Sequence, residues 1–496
     1  MRRNTEIHAG FKYNYSISDG FSYVVNNHEL KFGAYTHLQS NQSPLNDACG
    51  CFPGSFYFGS PNPSNPFNAG NAFAEAELGY FDSYNVSTAL RQFSANARSF
   101  EWYAQDNWRA SRRLYLNFGA RFTKDIPQTT VATGGALNLS LYKPSDAPPL
   151  YQPVLVNGTR MAENPLTGGL ASIAYEGMFV PGVGNPAPGS VLQPSSDWHG
   201  VFSSRGVLAA PRAGFAYDVF GDGKTAIRGG FGLYYGQRDY TGDLYSVFAN
   251  PPNIFYPTQY YGSVTTYSTT PGLLAPSAIT YFDPDAPLSY TLQWNLGVQR
   301  EIGIIKSVLG VAYVANESRH NRYNINMNEV PYGAEFLPKN QDPTTGTPLP
   351  DNFFRPFPGY STITDGIWGD NGNYNSLQVT FNRRMAHNLS YGVSYTWSKS
   401  MDDNRRTTYL PSSLTYGPSP INMANRLTAD WVWDLPKVSQ RWNNTFSSSV
   451  LDGWEFAGIN SFISGEPVSG SLATTNGENI TGGGDGAKSS SRAMPY

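Results

Sequence analysis

Residues able to do chemistry are few in this 496-residue chain, and they are scattered. The two cysteines, Cys49 and Cys51, form a Cys-Gly-Cys triplet, which fits either a strained small-loop disulfide or an incidental place in a loop. The six histidines show no spacing that would bring them together around a metal ion. Asp402 and Asp403 could help to hold Ca²⁺ at the start of a loop, but a solvated turn explains them more simply.

Motifs of known enzyme chemistry are also missing. The sequence has no G-x-S-x-G elbow, no H-E-x-x-H helix and no P-loop spacing. The glycines of GGFGLYYG, residues 229–236, miss the spacing of a dinucleotide-binding loop and instead suit a strand that needs room for twist and close packing. We therefore predict a chain that is not an enzyme, with no catalytic residue, no cofactor and no metal ligand.

Composition favours strands and disfavours a charged surface. Asp, Glu, Lys and Arg make up 14% of the chain, against roughly 25% in soluble proteins, and aromatic residues make up 15%. The net charge of −3 and the lack of a basic stripe argue against nucleic acid as a partner. No apolar run is long enough for a membrane-spanning helix, and the start of the chain does not read as a signal peptide.

Period-two alternation is the pattern that positions all other residues. In LSYTLQWNLGVQREI, residues 288–302, Leu292 and Trp294 share one face of an extended segment while Gln293 and Asn295 share the other. The same alternation is clear in residues 113–122, 224–235 and 389–397. It is weaker near residues 6–17, 28–40, 98–110, 206–220, 306–319, 373–384, 424–436 and 452–464. The sequence thus predicts about twelve strands.

The connections between these strands alternate between very short and very long. Short turns are predicted around Ser111, at FGDGK (residues 220–224), near Gly303 and near Ala386. Long connections rich in Pro, Gly, Ser and Asn lie at about 41–97, 125–205, 239–287, 320–372 and 401–423. A transmembrane antiparallel β-barrel has this asymmetry, with short periplasmic turns and long extracellular loops. We therefore predict an all-β barrel wall, against the alternative of a large soluble sandwich or propeller.

The strand register then predicts which side chains line the lumen. Leu, Val, Phe and Trp would face lipid, because an Arg turned to the lipid midplane costs roughly 2–4 kcal/mol. Tryptophans near strand ends, such as Trp102, Trp397 and Trp431, suit the aromatic girdles of such barrels. The predicted lumen-facing residues are Arg121, Arg228, Gln293, Asn295, Gln299 and Gln378.

Five phrases of the sequence resemble a known family. They are YAQDNWRASRRLYLNFGARF, PRAGFAYDVFGDGKTAIRGGFGLYYG, LSYTLQWNLGVQREI, YNSLQVTFNRRMAHNLSYGVSYTWSKSMDD and GWEFAGINSFISGEPVS. In this order, from about Ser99 to Ser469, they resemble the barrel of TonB-dependent outer-membrane receptors of the Oar-like kind, whose chains usually begin with a carboxypeptidase-regulatory-like domain. The resemblance implies a 22-stranded barrel with an internal plug, energised through TonB.

The resemblance also sets expectations for domains and partners. We expect residues 1–469 to be a truncated barrel segment, about 12 of the implied 22 strands, and residues 470–496 to be a polar Gly/Ser-rich tail or extracellular loop. The implied location is the outer membrane of a Gram-negative type bacterium. The implied partners are outer-membrane lipid, the barrel-assembly machinery and the TonB complex, which would act through a plug domain absent from this chain.

Three functions from different classes remain open at this point. The first is a TonB-dependent receptor or transporter that moves an unknown ligand across the outer membrane. The second is a surface-adhesion or structural barrel, in which the long loops bind partners. The third is a soluble β-rich carbohydrate-binding protein, which would be found in the aqueous fraction without detergent.

Overall fold

The fold of the chain is known from a computed structural model. It describes residues 11–46, 54–59, 62–89, 91–130, 133–193, 201–236, 246–403, 415–437, 449–450, 452–468, 470–472, 482–483 and 491–493. One antiparallel sheet dominates these residues, as the alternation predicts. No helix in the described part is both long and apolar enough to cross a membrane.

Twelve long strands form the continuous path of this sheet, which we call the wall. In spatial order they are β1 (Phe11–Val25), β2 (His28–Asn46), β5 (Arg91–Trp108), β6 (Leu114–Asp125), β12 (Gly206–Asp218), β13 (Thr225–Tyr235), β16 (Tyr290–Ile302), β17 (Ser307–Asn326), β18 (Tyr360–Ala386), β19 (Leu389–Asp403), β21 (Asn425–Asp434) and β22 (Glu455–Ile463). Each pairs with its neighbours along the chain, and β1 and β22 form the two ends of the path. The predicted set of about twelve antiparallel strands is therefore confirmed.

The short turns predicted from the sequence lie together at one end of the wall. Between β18 and β19 the turn is the pair His387 and Asn388, whose positive φ angles of 50° and 64° are the backbone that a tight hairpin requires. Lys306 closes the β16–β17 turn with a φ of 49°. Because these hairpins are antiparallel, every long connection from β2 to β21 leaves from the opposite end.

Two wall strands run well beyond their predicted limits. The alternation predicts residues 306–319 and 373–384, whereas β17 and β18 have 20 and 27 residues. Their extra pairing includes Asn321 with Asp370 and Asn326 with Thr364, past irregularities in the register. Sequence reasoning missed these extensions because they are polar and rich in Gly and Asn, which lowers their strand propensity.

The long connections fold into a structured layer at their end of the wall. We call the described parts of residues 54–89, 126–205, 246–289 and 327–359 the loop layer. Its elements are α1 (Ala72–Leu78) and the short strands β3 (Ser55–Tyr57), β4 (Tyr80–Asn85), β7 (Gly134–Leu137), β8 (Gln152–Val156), β9 (Thr159–Glu163), β10 (Leu170–Ser172), β11 (Ser190–Gln193), β14 (Thr258–Ser263) and β15 (Ser277–Phe282). Short 3-10 turns lie at Pro144–Asp146, Ile173–Tyr175, Tyr267–Thr269, Ala334–Phe336, Pro338–Asn340 and Asp351–Phe353.

Contacts between distant loops hold this layer together. Strand β14 pairs with β4 of an earlier loop, and β15 pairs in parallel with β18. Phe248, Phe282 and Trp368 share one buried cluster with Ala95 of the wall. Tyr360, which is 1% exposed, belongs to a second cluster with Leu137, Ile279 and Ile363. The Pro- and Gly-rich composition gave no sign of these pairings, because they depend on contacts between segments far apart in sequence.

Glycines in the wall make room for aromatic rings, as predicted for residues 229–236. A Cβ at Gly229 would lie 2.5 Å from Cε1 of Phe215 on the adjacent strand. At Gly33 the same atom would lie 2.4 Å from Cε1 of Tyr103. Any other residue would displace these rings, so the glycines fix how neighbouring strands pack.

Short strands also occur beyond the wall strands. The strand β20 (Tyr416–Pro418) pairs with β19, and β23 (Gly470–Leu472) pairs with β24 (Ser491–Ala493). The last pair lies within the segment predicted as a polar tail. The division at residue 469 stays a prediction.

Candidate functional site

The six predicted lumen residues lie on a single face of the wall. On β13 and β16, Arg228 is opposite Gly297, and Asn295 is opposite Gly230. Laterally paired residues of a sheet point to the same side, and side chains alternate along each strand. Gln293 and Gln299 therefore share this side with Asn295. We call it the polar face.

Register continuity places the remaining two predicted residues on the polar face. Ala312 is opposite both Gly297 and Gln378, which brings Gln378 to the side of Arg228. On the other flank, Arg121 is opposite Ala210, which alternates with the Ala216 partner of Arg228. The six residues are spread over four strands, so they form a surface and not a compact cluster.

Small side chains separate the charged ones on this surface. One lateral row runs from Arg228 through Gly297, Ala312, Gln378 and Thr396 to Arg426. Gly, Ala and Thr project little from a sheet, whereas the two arginines reach far. The row therefore offers long cationic donors at both ends, with a shallow floor beside Gly297 and Ala312.

Arg121 belongs to an ion pair that sequence reasoning missed. Its guanidinium contacts the carboxylate of Glu101 on the adjacent strand, and Glu101 is only 8% exposed. Tyr103, which is directly opposite Arg121, and Tyr35 help to line a cavity of about 290 Å³ beside the pair. The weak alternation near residues 98–110 is the sequence signal that could have placed Glu101 on the same face as Arg121.

A hydrogen-bonded amide chain extends the polar face toward the short turns. Gln105 donates to Asn107 at 2.8 Å, Asn117 donates to Asn107 at 2.6 Å, and Asn107 donates to Glu29 at 2.8 Å. These bonds tie three adjacent strands together. Each member is held in place by another, so this part of the face is preorganised.

Arg212 is a further polar-face arginine that the sequence prediction omitted. Its guanidinium carbon lies 4.4 Å above the ring centre of Tyr234, a cation–π contact between adjacent strands. Arg212 is opposite both Gly119 and Gly232, which leave space for the stacked pair. The alternation of residues 206–220 was less clean than elsewhere, so this arginine was not assigned to a face.

The opposite side of the wall, the apolar face, exposes large hydrophobic side chains. Leu296 is 54% exposed, Trp397 60%, Phe118 45% and Ile17 69%. A water-soluble protein rarely leaves so many such residues uncovered on one continuous surface. This face therefore requires an apolar environment.

The height of the apolar face matches a bilayer. On β6, the five residues Leu114, Leu116, Phe118, Ala120 and Phe122 precede Lys124. On β19, five alternate residues from Leu389 to Trp397 likewise precede Lys399. Nine residues at roughly 3.4 Å each, tilted by about 40°, rise roughly 23 Å, close to the apolar band of about 25 Å in membrane barrels.

In the loop layer, one charged cluster joins two loops. Arg160 Nη2 lies 2.5 Å from Asp342 Oδ2 and 3.2 Å from Glu176 Oε2, and its Nε donates to Thr344 at 2.8 Å. The cluster borders a cavity of about 820 Å³ that Glu335 also lines. The carboxylates of Glu176, Glu335 and Asp342 give the lining of this cavity an acidic character.

Burial and hydrogen bonding act differently on the two carboxylates of this cluster. Burial raises the pKa of Glu176 despite the nearby Arg160 charge. At Asp342 burial also acts upward, but hydrogen bonds from Thr344 and Thr345 and the Arg160 charge outweigh it and lower the pKa. The two carboxylates that share Arg160 therefore have pKa values shifted in opposite directions.

A second loop-layer cavity has no charged residue among the described residues that line it. It measures about 610 Å³ and is bordered by Leu137, Asn138, Val191, Phe202 and Tyr281, among others. Its mixed aliphatic, aromatic and amide lining suits an uncharged ligand group.

Residues considered for metal chemistry do not form a metal centre in the described part of the chain. Asp403 donates its backbone N–H to Asp370 Oδ1 at 3.1 Å, and the Thr415 hydroxyl donates to Asp403. Burial, together with the charges of Asp403 and Asp402, raises the pKa of Asp370 to about 6. Among the described residues, no group of three or more His, Cys, Asp or Glu side chains could hold a metal ion. Cys49 and Cys51 lie outside the described residues.

Comparison with solved structures found several outer-membrane transporters. The FrpB iron transporter of Neisseria meningitidis is 8% identical, with a TM-score of 0.38, and the match covers 86% of this chain and 42% of that one. The outer membrane transporter YddB of Escherichia coli is 10% identical, with a TM-score of 0.40, and the match covers 94% and 52%. The chain thus spans about half the length of these structures. No curated protein sequence matched it.

A family model settles the class of the protein. The model described as "Outer membrane beta barrel domain" matches residues 4–494, nearly the whole chain. The match agrees with the antiparallel wall, its apolar face and its two unlike ends, and it sets aside a soluble carbohydrate-binding protein. The chain therefore belongs to the outer membrane beta barrel domain family and is located in the outer membrane of a Gram-negative type bacterium.

Proposed function

We propose that this chain is the wall of a TonB-dependent receptor that carries a ligand across the outer membrane. The observation that carries the proposal is the polar face, a continuous surface of amide, hydroxyl and guanidinium groups. It lies on the side of the wall opposite the apolar face, whose height matches a bilayer. A polar inner side of this kind can line a path for a ligand. The resemblance of five sequence phrases to Oar-like receptors points to the same function.

In this proposal the ligand meets two surfaces in turn. It binds first in the loop layer, where the cavities of about 610 and 820 Å³ differ in charge. It then passes along the polar face, where Arg121, Arg228 and Gln378 offer hydrogen bonds. A TonB-driven plug would block this path at rest, and the shallow row beside Gly297 and Ala312 would let plug backbone approach closely.

An uptake assay tests the proposal. The complete gene product is produced in a Gram-negative host that lacks its own receptors, and uptake of ferric siderophores, cobalamin, oligosaccharides and peptides is measured with and without functional TonB. We expect uptake of one class, lost without TonB. Uptake that is equal in both strains, or no uptake of any class despite correct insertion, would contradict the proposal.

A surface-adhesion barrel is the second candidate, and the loop layer favours it. The layer has its own buried clusters around Phe248 and Tyr360, so it can present a rigid outer surface without any transport. The two functions predict different results when the loop layer is shortened. An adhesin would lose cell attachment while TonB loss has no effect, whereas a receptor would lose TonB-dependent uptake.

A further inference from the structure

Two cations stand side by side on the apolar face, at its border with the loop layer. Lys124 of β6 is opposite Phe100, and Arg98 lies two residues from Phe100 on the same side of β5. They are therefore diagonal neighbours on adjacent strands, with Cβ atoms roughly 7–8 Å apart. Both side chains are exposed. We call Arg98 and Lys124 the rim pair.

The rim pair has no neutralising partner in the described part of the chain. Arg98 is opposite Leu38, and Lys124 is opposite both Phe100 and Val207, so their lateral neighbours are apolar. No ion pair involves either side chain among the described residues. Elsewhere on the apolar face, Glu317 and Arg319 neutralise each other and His28 bonds Asp106 at 2.7 Å. Lys399, at the end of the apolar series of β19, is exposed and takes part in none of the ion pairs of the described residues, but it has no second cation beside it on β18 or β21.

Aromatic rings lie directly beneath the rim pair, toward the middle of the wall. The ring centres of Phe100 and Trp102 are 5.5 Å apart, and those of Trp102 and Phe122 are 5.7 Å apart. Trp is typical of the membrane interface, where an apolar ring meets polar headgroups. The cations therefore lie at headgroup depth, and the rings lie at the top of the hydrocarbon.

The two members of the rim pair are offset by two residues along the wall. Lys124 is opposite Phe100, so Arg98 is two residues further from the β5–β6 turn than Lys124. Both lie on the loop-layer side of the aromatic rings. The loop-layer border is the outer surface, because the long loops of membrane barrels are extracellular.

We propose that the rim pair binds the phosphate of a phosphorylated lipid in the outer leaflet. Arg supplies a planar fork and Lys a mobile ammonium, and together they can hold a phosphate monoester from two sides. The acyl chains of the same lipid would lie on Phe100, Trp102 and Phe122. A free phosphate gains nothing from these rings, so the geometry points to a lipid. This inference is independent of transport.

The experiment compares ligands that differ only in phosphate or in acyl chains. The detergent-solubilised full chain is titrated with bis-phosphorylated lipid A, with the same lipid lacking its phosphates, and with inorganic phosphate, and bound lipid is counted by native mass spectrometry. Each cation at a membrane surface contributes roughly 1 kcal/mol. We therefore expect about fivefold weaker binding for Arg98→Ala or Lys124→Ala and about thirtyfold for the double variant.

Matched variants separate the rim pair from charge in general. Arg112→Ala/Lys224→Ala removes two exposed cations in the short turns, away from the polar face and the loop layer, and should bind lipid A as the wild type does. Arg98→Lys/Lys124→Arg should keep most of the affinity, and dephosphorylated lipid should bind the wild type as weakly as lipid A binds the double variant. Unchanged affinity in the double variant, or an equal loss in the control variant, would overturn the proposal. So would competition by inorganic phosphate at the same concentration as lipid A.

Discussion

Placing the same charged side chain on either side of one wall strand gives the sharpest test of the register. Leu296 and Asn295 are adjacent on β16, so Leu296→Arg and Asn295→Arg add arginine at the same depth but on opposite faces. Leu296 is opposite Gly229 and Tyr313, and Asn295 is opposite Gly230 and Val314. Because the strand is shared, the intrinsic strand propensity of arginine cancels in the comparison.

The expected difference follows from the environment of each side chain. Leu296 lies within the apolar series Leu292 to Val298 and is 54% exposed, so an arginine there would enter hydrocarbon at a cost of roughly 2–4 kcal/mol. That cost lowers the folded-to-unfolded ratio by about 30- to 700-fold. Asn295→Arg lies on the polar face and should change the free energy of unfolding by no more than about 0.5 kcal/mol.

Denaturant titration of the protein refolded into phospholipid vesicles measures both free energies of unfolding. Leu296→Ala is the companion variant, because it shows how much of the loss comes from removing leucine and how much from adding charge. Equal losses for Leu296→Arg and Asn295→Arg would refute the face assignment. A larger loss for Asn295→Arg would reverse it.

Three further predictions concern other parts of the molecule. Gly33→Ala should destabilise the wall by about 1–3 kcal/mol in the same titration, since its Cβ would overlap the Tyr103 ring, whereas Gly303→Ala, with open space around it, should be neutral. Arg160→Met leaves the Asp342 carboxylate, with its side chain 3% exposed, without its cation; we expect the loop layer to lose about 1–3 kcal/mol, seen as faster hydrogen exchange there and absent in Arg112→Met. Burial, followed by the charge of Asp283, raises the pKa of Asp365 to about 6, so its contribution to stability is complete below pH 3.8 and is lost as pH rises through about 6. Asp365 lies in the extension of β18 that pairs with β15 of the loop layer, so the loop layer should resist protease better at pH 5 than at pH 7. Asp365→Asn should reduce that difference and leave the part due to Asp370, whose pKa is also raised to about 6; a wild type with no pH dependence would contradict the reasoning.

The alternation of the sequence was sufficient to predict the wall, because one buried or lipid-covered face imposes a period of two on every strand. It placed Leu296 and Asn295 on opposite sides and located the turns at residues 220–224 and near Ala386. It could not predict the pairing of β14 with β4, whose residues are almost 180 positions apart and carry no alternating pattern. That pairing depends on contacts between segments far apart in sequence, such as the ring contact of Tyr84 with Tyr267.

On the polar face, too, some features follow from the sequence of a single strand and others depend on the neighbouring strands. Arg121 and Gln378 could be assigned to a face from their own strands. The Glu101 partner of Arg121 and the Tyr234 ring beneath Arg212 depend on how neighbouring strands align, which is a property of register. The single-strand pattern therefore predicts which side a residue faces, and the structure is needed to say what it touches.

The buried clusters of the loop layer affect how the protein can change over evolutionary time. Phe248, Tyr360 and Ile363 are at most 1% exposed, and their two clusters join the loops to wall residues such as Ala95, Tyr360 and Trp368. Substitutions on the outer surface of these loops then leave both the clusters and the strand register untouched. The extracellular surface is free to diversify under selection while the membrane-embedded strands keep a sequence that the bilayer dictates.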